Sequence, residues 1–219
     1  MKPSIGVLAF HGDVIEHKMA LIQAAKNLKI SIKVLDVRTR KDLKEIAALI
    51  IPGGESTTIQ KLCEREGMLN TMRAVPAIFG TCAGAIMLAK SILHKTPDQK
   101  SLERIDIEVD RNAYGRQTES FEKRIQTSLG PVSAVFIRAP KITKVGKNVK
   151  ILAQIDQQVL VCEEKVRNVY SLAACFHPEL TTTLFHEYFL KKIAQYYFAL
   201  PGGNGNGVPD GSTGFNARE

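Results

Sequence analysis

No stretch of this 219-residue chain is apolar for long enough to cross a bilayer. Residues 74–89, the most apolar of the long uncharged runs, are interrupted by Pro76, Gly80, Thr81 and Gly84 and fall short of the roughly 20 apolar residues that a spanning helix requires. A secretory leader is lacking as well. The apolar run in MKPSIGVLAFHGD is too short and no small-residue cleavage site follows it, so a cytoplasmic protein is expected. Cysteine is scarce: Cys63, Cys82, Cys162 and Cys175 form no CxxC pair and sit at no metal-ligand spacing, which argues against a disulfide framework and predicts no metal site. Neither an internal repeat nor a nucleic-acid-binding signature occurs. The 30 Lys+Arg against 22 Asp+Glu give a net charge of +8. These charges are scattered rather than massed, so an anionic ligand is compatible with them but no nucleic-acid partner is expected.

What is present suffices for one sizeable core. With 44% hydrophobic and 24% charged residues, the chain is neither disordered nor fibrous in composition. Short apolar runs at 5–10, 32–35, 47–51, 77–79, 132–137, 151–153, 158–162 and 170–175 read as strands. Between several of them lie amphipathic helices, marked by Val14, Leu21, Ala25 and Leu28, and near the C-terminus by Phe185, Phe189, Ile193 and Tyr197 at steps of four. Strand and helix alternate in the first half, and its continuously apolar strands predict a parallel sheet covered on both faces. From about residue 105 to 175 the strands lie closer together, and some are expected to be antiparallel. Beyond Leu200 the composition turns to Gly, Asn and Pro, with Phe215 the only large apolar anchor. Such a segment cannot offset its ordering entropy, and a disordered tail over 200–219 is expected.

The chemically richest segment is AIFGTCAGAIMLAK at 77–90, an apolar strand followed by G-x-C-x-G and an apolar helix. This is the cysteine form of a nucleophile elbow, in which Gly80 and Gly84 remove the Cβ atoms that would obstruct a sharp strand-to-helix turn. Cys82 then sits at the tip, where a helix N-terminus favours the thiolate and the Ala83 N–H is free to donate to an oxyanion. The bland alternative is one more buried, inert thiol.

A thiolate nucleophile needs a proton carrier and a group that orients it. His177 follows an apolar strand and opens His177-Pro178-Glu179, in which the proline biases His177 toward an extended conformation that lets His177 and Glu179 face the same side. Alone, this tripeptide reads more readily as a strand-ending turn. A third segment, AALIIPGGESTT at 47–58, runs from a strand into a glycine pair and a helix. Gly53 and Gly54 are able to aim an N–H at a reacting carbonyl, and Ser56 or Thr57 is a suitable helix N-cap. The segment is not a phosphate-binding loop, because the terminal Lys-Ser/Thr is missing.

PGGEST, GTCAG, RNAYGRQ, FIRAP and FHPEL occur in that order. Together they resemble the class I glutamine amidotransferases, in the branch that forms the glutaminase subunits of pyridoxal 5'-phosphate synthase. The resemblance spans residues 4–198. It implies a three-layer α/β fold of flavodoxin-like type, with a mostly parallel twisted sheet, and a single amidotransferase domain over 1–199. It also implies Cys82, His177 and Glu179 as the catalytic triad, and an oxyanion hole formed by the backbone N–H groups of Gly54 and Ala83. Gly54, Glu55, Ser56, Arg116, Ile137 and Arg138 match glutamine-binding positions. Free glutamine is a zwitterion, and Glu55, Arg116 and Arg138 offer groups for its two charged ends; which group meets which end is left open. One position departs from the pattern, for Phe10-His11-Gly12 stands where the family usually has Leu-Gln-Gly.

The activity so implied is hydrolysis of L-glutamine to glutamate and ammonia through a γ-glutamyl thioester. The implied partner is a (β/α)8-barrel synthase subunit in a hetero-oligomeric complex. Pyridoxal phosphate is then the product of the complex, and no cofactor is expected on this chain. Two other readings share parts of the pattern. A cysteine hydrolase or deglycase needs the elbow but neither the His-Pro-Glu pair nor the arginines, and a degenerate binding module needs no intact triad.

Overall fold

The computed structural model describes residues 2–112 and 120–197. Arg116 and the tail expected over 200–219 lie outside the described residues. The chain opens with β1 (Ser4–Leu8), α1 (Val14–Asn27), β2 (Lys33–Val37), β3 (Ala48–Ile51), α2 (Ser56–Arg65), α3 (Leu69–Ala74), β4 (Ala77–Thr81) and α4 (Ala83–Leu88). There follow β5 (Ala89–Leu93), β6 (Ile105–Asp110), β7 (Phe121–Thr127), β8 (Gly130–Phe136), β9 (Lys141–Val145), β10 (Lys150–Ile155), β11 (Gln158–Val166), β12 (Val169–Ala174) and α5 (Leu184–Tyr197).

Strands β2-β1-β3-β4-β12 run parallel to one another, and β11, β10, β7 and β8 extend the sheet by antiparallel pairing. A side branch of β5, β6 and β9 joins it at β11. Side-chain alternation explains the continuous apolarity of the central strands. In β3, Leu49 and Ile51 enter one core with α2, α3 and α4, whereas Ala48 and Ile50 enter a second core with α1 and α5. Both faces are therefore covered, as buried parallel strands require. Phe185, Phe189 and Ile193 point into the second core, each at most 3% exposed. Among the described residues no helix is long and apolar enough to cross a membrane.

Two local expectations need correcting. The apolar helix after the elbow does not continue to Lys90; it stops at Leu88, and Ala89, with φ −64° and ψ 144°, starts β5. There the backbone is claimed by parallel pairing with β6, a tertiary contact that outweighs the helix propensity of the sequence. The cap of α2 is neither Ser56 nor Thr57. Glu55 fills that role, accepting hydrogen bonds from the Thr57 and Thr58 N–H groups at 3.1 and 2.6 Å.

The elbow itself depends on close backbone approach. A Cβ on Gly84 would lie 2.1 Å from the Ile51 carbonyl oxygen, and one on Gly80 would lie 2.5 Å from the Gly84 backbone. The start of α4 is thus pressed against the end of β3, which sets the PGGES turn beside the nucleophile. Gly84→Ala is expected to destabilise the fold by about 1–3 kcal/mol through this overpacking, read as a lowered melting temperature. An unchanged melting temperature would show that the contact yields at no cost.

Candidate active site

Cys82 stands between β4 and α4 with φ 49° and ψ −105°. Positive φ is a strained choice for a residue with a side chain, and strain of this kind concentrates where a side chain must be presented in one direction. The thiol is 5% exposed, and its Sγ lies 3.8 Å from the Ile137 carbonyl oxygen. That contact brings the turn after β8 over the nucleophile.

His177 follows β12 with φ −104° and ψ 80°, and Glu179 sits in the short 3-10 turn Pro178–Leu180. Their spacing does what the tripeptide predicted: Nδ1 of His177 lies 2.8 Å from Oε1 of Glu179. A second carboxylate shares that nitrogen, since Asp13 Oδ2 is 2.9 Å away. Nε2 is therefore the ring's other proton site. Burial favours the neutral ring, but hydrogen bonds to Asp13, Cys82 and Glu179 and the charge of Cys82 outweigh it and push the His177 pKa up to about 12. Burial raises the Glu179 carboxyl above its ordinary range despite its bond to His177. The bond to His177 holds Asp13 below its ordinary value, against the opposing effect of burial.

The glycine turn closes over this ring. A Cβ on Gly53 would sit 2.3 Å from His177 Cε1 and 3.2 Å from Asp13 Oδ2, so only glycine allows the turn to approach so closely. Gly54 has φ +122°, and His11 packs against it, with Nδ1 2.4 Å from the position of an added Cβ. The residue that departs from the family pattern thus touches the expected oxyanion turn.

Glu55 is less free than its sequence position suggested. Besides the α2 cap, it accepts a hydrogen bond from the Thr57 hydroxyl and an ion pair from Arg111 Nη2 at 3.3 Å. Burial alone would raise its pKa, but the bonds from Thr57 and Thr58 bring it down to about 2. Ser56 is buried and accepts from Gln99 Nε2 at 3.2 Å. Ile137 and Arg138 lie on the exposed turn after β8, Arg138 at φ 45°. Ala83 opens α4 directly after Cys82.

Comparison with known proteins places this arrangement. The model of the SNO glutamine amidotransferase family matches residues 7–195. The chain belongs to that family. This glutamine amidotransferase is 46% identical over 198 residues to the pyridoxal 5'-phosphate synthase subunit PdxT of Pyrococcus furiosus, covering 86% of this chain and 98% of the relative. The protein of the same name from Thermus thermophilus is 46% identical over 199 residues, covering 87% and 98%. A crystal structure of a glutamine amidotransferase superposes with a TM-score of 0.75 at 42% identity, covering 87% of this chain and 98% of that one.

Within the amidotransferase frame, Cys63, Cys162 and Cys175 are buried free thiols. Burial pushes Cys63 and Cys162 up to about 12 and raises Cys175 further, which makes them inert at neutral pH. Sequence reasoning missed Asp13 and Arg111. Asp13 follows the glycine of the first strand-to-helix turn, the one signal that could have singled it out. Arg111 stands before Asn112 at the edge of the RNAYGRQ motif. Asp13, His177 and Glu179 also bring three ligand-type atoms within 4.8 Å of one another. A cation there would need the Nδ1 lone pair that the raised pKa of His177 assigns to a proton.

Proposed function

We propose that this glutamine amidotransferase is the glutaminase subunit of a pyridoxal 5'-phosphate synthase, hydrolysing L-glutamine to glutamate and ammonia. The observation that carries the reading is the His177 ring, held 2.8 Å from the buried Glu179 carboxylate and paired with the strained Cys82. The Cys82 thiolate attacks the side-chain amide carbon, and the carbonyl electron pair moves onto oxygen, where the N–H groups of Gly54 and Ala83 receive it. Collapse breaks the C–N bond. His177 gives its Nε2 proton to the departing nitrogen, which leaves as ammonia, and a γ-glutamyl thioester remains. The neutral imidazole then takes a proton from water, the hydroxide adds to the thioester, and expulsion of sulfur yields glutamate. Gly54, Glu55, Ser56, Arg116, Ile137 and Arg138 form the glutamine site.

Cys82 is expected to be alkylated by a glutamine-derived electrophile at a site located by mass spectrometry, with L-glutamine protecting it. Labelling that glutamine does not slow would refute the reading.

Ammonia is delivered to a (β/α)8-barrel synthase subunit in a hetero-oligomeric complex, in the cytoplasm. The names of the relatives support a synthase partner, and the surface of α1 supports a docking face for it. Ile15, Met19 and Ile22 are 67%, 66% and 57% exposed on one side of that helix, and Leu180, in the same turn as Glu179, is 42% exposed. An apolar patch of this kind beside a catalytic turn marks an interaction site. Met19→Glu is expected to weaken binding to the synthase subunit by about tenfold or more, measured by calorimetric titration. Unchanged affinity would move the docking face elsewhere.

A further inference from the structure

Behind the triad lies a buried pair of histidines that the mechanism above does not use. His17 on α1 and His186 on α5 are fully buried, and His17 Nδ1 lies 3.0 Å from His186 Nε2. The other nitrogen of His17, Nε2, is 2.9 Å from the Thr81 hydroxyl and 3.4 Å from Glu179 Oε2. Phe79 packs edge-on against both rings.

The proton positions follow from counting partners. Burial lowers the pKa of His17 well below its ordinary value and brings His186 down to about 3, so each ring is neutral and carries one N–H. His186 Nδ1 has no hydrogen-bond partner among the described residues. A buried orphan N–H is costly, which puts the His186 proton on Nε2, donating to His17 Nδ1. The His17 proton then resides on Nε2. It donates to the hydroxyl of Thr81, the residue before the nucleophile, and lies 3.4 Å from Glu179 Oε2, a buried carboxylate oxygen that forms no hydrogen bond.

We propose that His17 and His186 are positioning residues of the glutaminase site: His186 sets the tautomer of His17, and the His17 Nε2–H holds the end of β4 through Thr81 while its positive edge stands against the free oxygen of Glu179. One imidazole thereby ties the strand that presents Cys82 to the carboxylate that orients His177. This inference rests on the triad reading given above. A carboxylate held at one oxygen only is free to swing about its terminal torsion, and misplacement of this size costs roughly 10- to 100-fold in rate.

The test uses the full chain together with its synthase subunit. His17→Leu is expected to lower kcat for glutamate release by about 10- to 100-fold with KM within about twofold, and His17→Gln, which restores an N–H, to recover part of the loss. Nitrogen NMR of the wild-type chain is expected to show protonated Nε2 and unprotonated Nδ1 on both histidines. The opposite tautomer on His17, or a folded His17→Leu chain with unchanged kcat, would overturn the proposal. Should His17→Leu fail to fold, the wild-type tautomer and the His17→Gln rate decide. Wild-type activity is the control: if it is absent in the assembled complex, the glutaminase reading fails first and this inference with it.

Discussion

Replacing Cys82 by alanine is expected to cut glutamate release by at least about 10⁴-fold, the order seen when a covalent nucleophile is lost. The same substitution should lower the pKa of His177. Two of the influences that raise it, the hydrogen bond to Cys82 and the negative charge of that residue, disappear together. The consequence reaches into the mechanism, because acylation of Cys82 removes the same charge as its deletion. In the proposed mechanism His177 starts as the imidazolium that ammonia release needs. Once the proposed thioester has formed, the ring loses the charge of the attacking sulfur and gives up its proton more easily, which suits the activation of water. On that reading one histidine serves as acid and then as base because the nucleophile's charge comes and goes. The sign of the stability effect follows. A histidine whose pKa is raised by folding stabilises fully below its unfolded value of 6.5, and that contribution drains away as pH rises toward about 12. Without Cys82 the loss should be complete at lower pH. Proton NMR titration of His177 in both proteins reads the shift directly, and an unchanged His177 pKa would remove the thiolate from the account.

Cys82, His177 and Glu179 were legible because each announces itself within a few residues of its own sequence. The glycines around Cys82 and the proline after His177 fix local backbone geometry, and local geometry is what a sequence encodes most directly. His17 and His186 carry no such mark, and Asp13 only the glycine before it. They reach the site because β1 pairs between β2 and β3 and because α1 and α5 pack on the same sheet face. Their roles exist only after the sheet has assembled. On a helix with a buried stripe, His17 looks like any polar residue that strays onto the apolar face. Glu55 shows the converse: its motif marked it for substrate, while its carboxylate is also committed to capping α2 and to Arg111. The strands missed in the second half show the same limit. β7, FEKRIQT, is largely exposed and charged, so its membership in the sheet depends on its partners rather than on its own apolarity. The regular alternation of β6, IDIEVD, with every second residue buried, was the one overlooked strand that local pattern could have supplied.

Asp13 changes what should be expected of the triad's acid. When a triad carboxylate is replaced by its amide, the histidine loses its orienting acceptor and the rate falls by about 10⁴. Here a second carboxylate stands on the same nitrogen, at 2.9 Å against 2.8 Å. Glu179→Gln is therefore expected to lose only about 10²-fold, with Asp13 keeping the Nδ1–H in place, and Asp13→Asn about tenfold. The order follows from burial: the Glu179 side chain is fully buried, whereas that of Asp13 is 32% exposed and its field is weakened by water. With both replaced, nothing orients the ring, and the full loss of about 10⁴ should return, more than the product of the single losses. The cycle is read on kcat/KM for glutamine. Strictly multiplicative losses would mean that the two carboxylates act on separate steps. Asp13 also leaves a mark on acid stability. Its depressed pKa gives a contribution that is present above the unfolded value of 3.8 and is lost as pH falls through the folded one. Asp13→Asn should accordingly flatten the acid limb of the unfolding curve, whereas a change confined to alkaline pH would contradict the assigned pairing.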